Sequence, residues 1–194
     1  MSVTTEEFFD NLDKIIKKEE PLRQPPVMVI HCQANSIKEF YITLRTKLKD
    51  FKKRYSEWNY YLINMEKELF HVLDELYYTN KFNTALTSTR EQLENGLQSS
   101  VLQDLVENIE KKIDDFTKEN ENSNSPPFVI LMNMHACYNY IQTKDIISRI
   151  INKTSILILI LYLDLSLTDL KIQKEESYKL ANYNVHSIHI ESLE

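Results

Sequence analysis

Apolar residues along this chain recur alternately at helical spacing and in short continuous runs. Near the start they occupy one face of a helix predicted over about residues 4–19: Phe8, Phe9, Leu12, Ile15 and Ile16. Short apolar runs bounded by turn residues predict strands at 27–32, 58–64, 128–134, 155–163 and 185–190. The run at 155–163, SILILILYL, is apolar on both faces, as is typical of a central strand in a parallel sheet. The run at 185–190 alternates between apolar and polar residues, so we expect it at a sheet edge.

Helical patterns with recognisable N-terminal caps fill the intervals between these strands. The residues at 36–39 form a capping box before a helix that continues to about residue 51, and Asn64 is the predicted cap of the next helix. Capping boxes at 88–91 and 100–103 predict two separate helix starts, and the second opens an amphipathic helix. Thr143 is the predicted cap of the last helix.

This alternation predicts an α/β fold, a three-layer α/β/α sandwich with a mostly parallel sheet of about four to five strands. The length of 194 residues suits a single domain over 1–194, in which a polar segment at 118–127 is the candidate linker. The chain has one glycine, Gly96, whereas the loops GxGxxG and GxxxxGK[ST] need several. We therefore predict no phosphate-binding loop and no cofactor. Turns at the strand ends must use residues that tolerate strained φ: Asn35, Asn64, Asn133 and Asp164.

The charge balance narrows the function further. A net charge of −6, from 23 basic and 29 acidic residues, argues against broad non-specific binding to DNA. Two cysteines are too few for a disulfide scaffold. The longest apolar run is too short to cross a membrane as a helix, and the charged N-terminal segment lacks the apolar core of a signal peptide. We therefore expect a cytoplasmic protein.

Two predicted strands end in histidine and cysteine, and parallel sheets form their sites at such ends. The residues are His31 and Cys32 at the end of the first strand, and His135 and Cys137 directly after the third. Gathered at one edge, they could form a metal site or a Cys-His nucleophile pair. No CxxC, HxH or HExxH spacing accompanies them, and burial in the core explains short-strand cysteines more simply.

A basic helix face is a second candidate, for nucleic acid or for an acidic partner. Its members are Lys38, Arg45, Lys47, Lys49, Lys52, Lys53 and Arg54. A solvated helix surface is the favoured explanation because the total charge is negative. Carboxylates between 164 and 176 are a candidate Mg²⁺ site, although a surface role is simpler. Aromatic residues at 55–61 are a candidate interface anchor.

Three stretches of the C-terminal half carry a resemblance to a known family: FVILMNMHACYNYI at 128–141, DIISRI at 145–150 and ILILILYL at 156–163. With the N-terminal helix, the proline connector and the strand at 27–30, their order resembles the BrxB family of small proteins from BREX phage-defence systems. Family members usually continue the last of these strands into a Tyr-Pro-Gly turn, where this chain has Tyr-Leu-Asp at 162–164. The resemblance implies a non-catalytic accessory protein. It would act beside a PglZ-type phosphatase-like protein, a large ATPase and an adenine-specific DNA methyltransferase.

Three functions follow as alternatives from the sequence. The first is an interaction subunit of a bacterial or archaeal phage-defence complex. The second is a metal-binding or hydrolytic domain that uses the histidine and cysteine residues, and the third is a nucleic-acid-binding accessory protein that uses the basic face. The missing catalytic motifs and the resemblance favour the first.

Overall fold

The computed structural model describes residues 2–3, 5–17, 26–33, 42, 45–46, 48–50, 53, 59–78, 90–123, 126–137, 143–150, 156–164 and 186–190. For residues 2–3, 5–6, 31–33, 77–78, 90–98, 135, 143–144, 162–164 and 186–190 the structure describes the backbone alone. Within the described ranges, no helix combines the length and the apolar character needed to cross a membrane.

Helices and strands alternate along the chain as the sequence predicts. The strands are β1 (Ser2–Val3), β2 (Val27–Gln33), β3 (Tyr60–Asn64), β4 (Phe128–Met132), β5 (Leu157–Asp164) and β6 (His186–Ile190). The helices are α1 (Thr5–Ile16), α2 (Met65–Tyr78), α3 (Arg90–Glu119) and α4 (Thr143–Ile150), with a short 3₁₀ helix at Met134–Cys137. Residues 42, 45–46, 48–50 and 53 are also helical, where a helix is predicted after the capping box at 36–39.

The strands form one six-stranded sheet in the order β1-β6-β2-β5-β4-β3. Every strand pair that the structure describes is parallel, so the fold is α/β. The most apolar strand, β5, lies between β2 and β4, which confirms its predicted central position. Its buried residues are apolar on both faces because helices cover the sheet on both sides.

Two clusters of buried side chains make up the core, one on each face of the sheet. On one face, Val29, Val129 and Ile158 belong to a cluster with residues of α2, α3 and α4, and we call it the α2–α4 face. On the other, Ile30 and Leu159 belong to a cluster with residues of α1 and with Leu48, and we call it the α1 face. The two clusters are compatible with the predicted three-layer arrangement.

The predicted helix start in the capping box at 100–103 is wrong. A single helix of 30 residues, Arg90–Glu119, runs through it. The box pattern needs only a serine and a glutamine three positions apart, which the interior of a polar helix also supplies. Gly96 lies inside α3 with an ordinary negative φ, since no glycine has a positive φ. A single glycine weakens a long helix by about 1 kcal/mol without ending it.

The expected edge position of β6 is also wrong. β6 pairs with β2 on one side and with β1 on the other. The two-residue strand β1 is too short to give a periodic signal, so the sequence predicts about five strands at most and the structure has six. The outer strands of the described sheet are β1 and β3.

The polar segment after α3 folds against the start of β3. The Ser123 N–H donates to the Asn120 carbonyl at 3.0 Å, which closes a turn. The Asn59 side chain donates to Asn120 Oδ1 and, at 3.4 Å, to Ser123 Oγ. The Phe128 N–H donates to the Asn59 carbonyl at 3.0 Å. The first part of the candidate linker is thereby attached to the sheet at the point where β3 and β4 begin.

Candidate functional site

A hydrogen-bonded polar network joins the carboxyl ends of β3 and β4. Asn64 ends β3 and caps α2, because its Oδ1 accepts from the backbone N–H groups of Glu66 at 3.1 Å and Lys67 at 3.4 Å. The predicted cap at Asn64 is thereby confirmed. The cap satisfies two backbone donors of the helix end and holds Glu66 at the same edge of the sheet.

Asn133 follows β4 and completes this network. Its φ of 61° is in the left-handed region, so the prediction that Asn133 takes a strained turn is confirmed. Its Nδ2 donates to Asn64 Oδ1 at 3.1 Å and to Glu66 Oε2 at 3.2 Å. The residue is 7 % exposed, and no donor among the described residues reaches its Oδ1. Two amides and a carboxylate in this geometry hold two strand ends together and orient the Glu66 side chain.

Cys137 lies in the 3₁₀ helix directly after this turn and belongs to the buried cluster of the α2–α4 face. Its Sγ lies 3.9 Å from the Met65 carbonyl oxygen. Burial away from water raises the pKa of the Cys137 thiol to about 12. A thiol with such a pKa stays protonated at neutral pH, and only the thiolate is a good nucleophile or metal ligand. The structure therefore gives Cys137 the properties of a core residue.

The other histidine and cysteine candidates are placed by their backbone alone. His31 and Cys32 are consecutive positions of β2, and consecutive positions of a strand belong to opposite faces of the sheet. His135 lies in the 3₁₀ helix. Among the residues whose side chains are described, no group of three or more His, Cys, Asp or Glu could hold a metal ion. Because the side chains of these three residues are outside the description, their predicted metal or nucleophile role stays a prediction.

The pairing register brings together polar residues that the sequence pattern does not connect. His31 of β2 is paired with His189 of β6 on one side and with Tyr162 of β5 on the other. Two positions further on, Gln33 is paired with Asp164 at the carboxyl ends of β2 and β5. Sequence reasoning missed His189 as a candidate, because local patterns give no signal for which strands become neighbours.

The basic face is described only in part. Arg45, Lys49 and Lys53 are helical and exposed. Lys53 Nζ lies 3.9 Å from Asp50 Oδ1, and an ion pair this exposed contributes little to stability. Lys38, Lys47, Lys52 and Arg54 lie outside the described residues, as do the candidate carboxylates at 169–176. Binding of nucleic acid by this face stays a prediction.

β3 is an outer strand whose aromatic side chains are incompletely covered. Tyr61 is 36 % exposed, and its ring stacks on Phe116 of α3 with the ring centroids 5.4 Å apart. Leu62, on the opposite face, is partly buried against the α1-face cluster. Among the strands that the structure describes, β4 alone pairs with β3. Tyr55 and Trp58, the other members of the predicted aromatic anchor, lie outside the described residues.

Comparisons with protein-family models, with curated proteins and with solved structures find no match to this chain.

Proposed function

We propose that this chain is a non-catalytic interaction subunit of a phage-defence complex of the BREX type, and that it binds a partner protein along the outer edge of β3. The exposed Tyr61 on this outer strand carries the proposal. An outer strand is the part of a sheet to which an extended segment of another chain can add. The proposed partner segment is therefore extended, with an apolar side chain that packs beside Tyr61.

The composition of β3 supports this surface. Its sequence, YYLIN, contains neither a charged residue nor a proline. Outer strands that avoid association usually carry lysine, proline or a bulge, and β3 has no lysine or proline. Because Tyr61 is already stacked on Phe116, its ring would lose little conformational freedom on binding. A pre-organised tyrosine near the middle of a contact is typical of residues that dominate binding energy.

The family resemblance supports the defence context. The quoted stretches at 128–141, 145–150 and 156–163 include β4, the 3₁₀ helix and most of α4 and β5 in the expected order. The resemblance implies a PglZ-type phosphatase-like protein, an ATPase and a methyltransferase as the other subunits. We propose direct contact with one of these proteins. Direct contact with nucleic acid is the alternative that the test below separates.

The test is co-expression of the chain with the genes that flank its own, followed by affinity capture after nuclease treatment. Wild-type chain should retain a flanking-gene product. Tyr61→Lys places a charge on the proposed contact and should lower the retained amount at least about tenfold, the effect of losing one dominant side chain. Phe70→Ser is the matched control, because Phe70 is 58 % exposed and lies on α2 instead of β3.

The outcomes separate the surfaces. Loss of the partner with Tyr61→Lys alone, at unchanged circular dichroism, supports the β3 edge. Loss with Phe70→Ser alone assigns the contact to α2 and contradicts the proposed surface. If nuclease treatment abolishes the capture, nucleic acid bridges the two proteins, and direct binding is contradicted. Wild-type chain that retains no flanking-gene product contradicts the proposed function.

A further inference from the structure

We propose that the partner adds a seventh strand to the six-stranded sheet, held by the backbone of Leu62 and apolar on both of its faces. This inference rests on the proposed function and specifies how the β3 edge recognises its partner. Among the strands that the structure describes, β4 alone pairs with β3. An extended segment on the other side of β3 therefore continues the sheet.

The hydrogen bonds between β3 and β4 determine which backbone groups of β3 face outward. The Phe128 N–H donates to the Asn59 carbonyl at 3.0 Å, and the two strands are parallel. In a parallel ladder, every second residue of a strand directs both its N–H and its C=O toward the same neighbouring strand. Tyr61 and Ile63 therefore direct theirs toward β4, as Asn59 does with its carbonyl. Leu62 directs its N–H and C=O to the other side, where no described strand lies.

The side chains of β3 are apolar toward both faces of the sheet. Tyr61, stacked on Phe116, and the buried Ile63 lie on the α2–α4 face. Tyr60 and Leu62 lie on the α1 face, where each is only partly buried. Strands that are apolar on both faces are typical of the interior of a parallel sheet, whereas strands with one face in water alternate. β3 thus has the composition of an interior strand at an outer position of the described sheet.

These two features define the chemistry of the partner segment. Its backbone must accept from the Leu62 N–H and donate to the Leu62 C=O, so the residue that donates is not a proline. Successive side chains of a strand point to opposite faces, so one partner side chain lies beside Tyr61 and the next beside Leu62. Both neighbours are apolar and keep part of their surface in water. The partner segment is therefore extended and apolar at consecutive positions, in contrast to an amphipathic helix or a charged peptide.

The first test is amide hydrogen exchange of the wild-type chain, resolved by residue with NMR. In the isolated chain, the Tyr61 and Ile63 amides should exchange slowly because they donate to β4, and the Leu62 amide at least about tenfold faster. In the complex with the retained flanking-gene product, the Leu62 amide should slow at least about tenfold. A Leu62 amide that is already as slow as its neighbours in the isolated chain would overturn the inference. If dilution then restores fast exchange, a second copy of the chain occupies the edge in place of the partner.

The second test compares two substitutions of Leu62 in the co-expression capture. Leu62→Ala shortens the side chain and keeps the N–H, whereas Leu62→Pro also removes the N–H and places its ring where the partner backbone would lie. Outer strands tolerate proline where the N–H faces away from the sheet, so the fold should survive. Leu62→Pro should lower the retained amount at least about tenfold more than Leu62→Ala, through the lost hydrogen bond and the clash of the ring.

The outcomes separate this inference from the proposed function. If Leu62→Pro and Leu62→Ala retain the partner equally while Tyr61→Lys loses it, pairing through the backbone is overturned and the proposed function stands. Wild-type chain that retains no flanking-gene product contradicts the proposed function, and the inference with it. If circular dichroism shows that Leu62→Pro is unfolded, exchange in the wild-type complex decides: a Leu62 amide that is no slower there overturns the inference.

Discussion

Replacement of Asn133 tests the strained turn and the hydrogen bonds at the end of β4 together. A φ of 61° costs alanine about 1 kcal/mol relative to glycine. The side chain donates one bond to the Asn64 amide and one to the Glu66 carboxylate, which contribute about 1 and about 2 kcal/mol respectively. The substitution also removes the buried Oδ1, to which no described residue donates a hydrogen bond, and this offsets the loss of stability by about 1 kcal/mol.

These terms predict a free energy of unfolding lower by about 3 kcal/mol for Asn133→Ala and by about 2 kcal/mol for Asn133→Gly. Both variants lack the side chain, so the difference of about 1 kcal/mol between them isolates the backbone term. Urea denaturation followed by circular dichroism measures the free energy of unfolding of both variants. The slope of that free energy against urea concentration should stay unchanged. Alanine at least as stable as glycine would refute the positive φ.

Asn133→Asp tests the contact with Glu66 separately. The introduced carboxyl is buried beside a carboxylate, and both effects raise its pKa in the folded protein above its unfolded value. The variant is therefore closest to wild type below the unfolded pKa, and it loses stability as the pH rises. We expect a penalty of about 1 kcal/mol at about pH 4, where a protonated carboxyl can donate only one of the two bonds, and of about 3 kcal/mol at about pH 7. A penalty that does not change with pH would contradict both the burial of position 133 and the carboxylate beside it.

Four further predictions concern the helices and the core. Gly96→Ala should raise the free energy of unfolding by about 0.5–1 kcal/mol, because Gly96 lies inside α3 with a negative φ. A lower free energy of unfolding in urea denaturation would contradict that position. Ser100→Ala should leave stability unchanged within about 0.5 kcal/mol, whereas a loss of about 1 kcal/mol would indicate a helix cap at 100. In a Cys32→Ser background, alkylation of Cys137 at pH 8 should be about a thousandfold slower in the native than in the unfolded protein, since its pKa is about 12 in place of 9.0; equal rates would contradict the burial. Lys112→Met should lower the free energy of unfolding by about 2 kcal/mol, because it leaves the buried Glu68 without its partner at 2.5 Å. Addition of Glu68→Leu should recover part of this loss in the same urea denaturation, and a double variant less stable than Lys112→Met would contradict the ion pair.

The predictable parts of this fold are those whose signal is local. The residues at 156–163 are apolar whichever face of the strand they belong to, which predicts a core on both sides of the sheet. In the structure β5 indeed lies in the middle of the sheet. Asn64 and Asn133 were identifiable for the same reason. With one glycine in the chain, the strand-end turn of positive φ falls to Asn133, whereas Asn64 has no positive φ and is confirmed only as the cap of α2.

The parts that could not be predicted depend on contacts between distant segments. The neighbours of β6 are set by pairing with β1 and β2, and neither contact leaves a mark in the local sequence of 185–190. The same holds for the register of His31 with His189. The capping box at 100–103 failed for the opposite reason. It is a real local pattern, but the continuous helix satisfies those backbone groups without a cap.

The mass of the species formed on co-expression with the flanking genes tests the central claim, partner binding along the β3 edge, most directly. Size-exclusion chromatography with light scattering, after nuclease treatment, measures it. We predict that the wild-type chain of 23.1 kDa elutes in a heavier complex with one of those gene products, and that Tyr61→Lys elutes apart from it. A wild-type chain that elutes without any of those products, or a complex that Tyr61→Lys leaves intact, would contradict the claim.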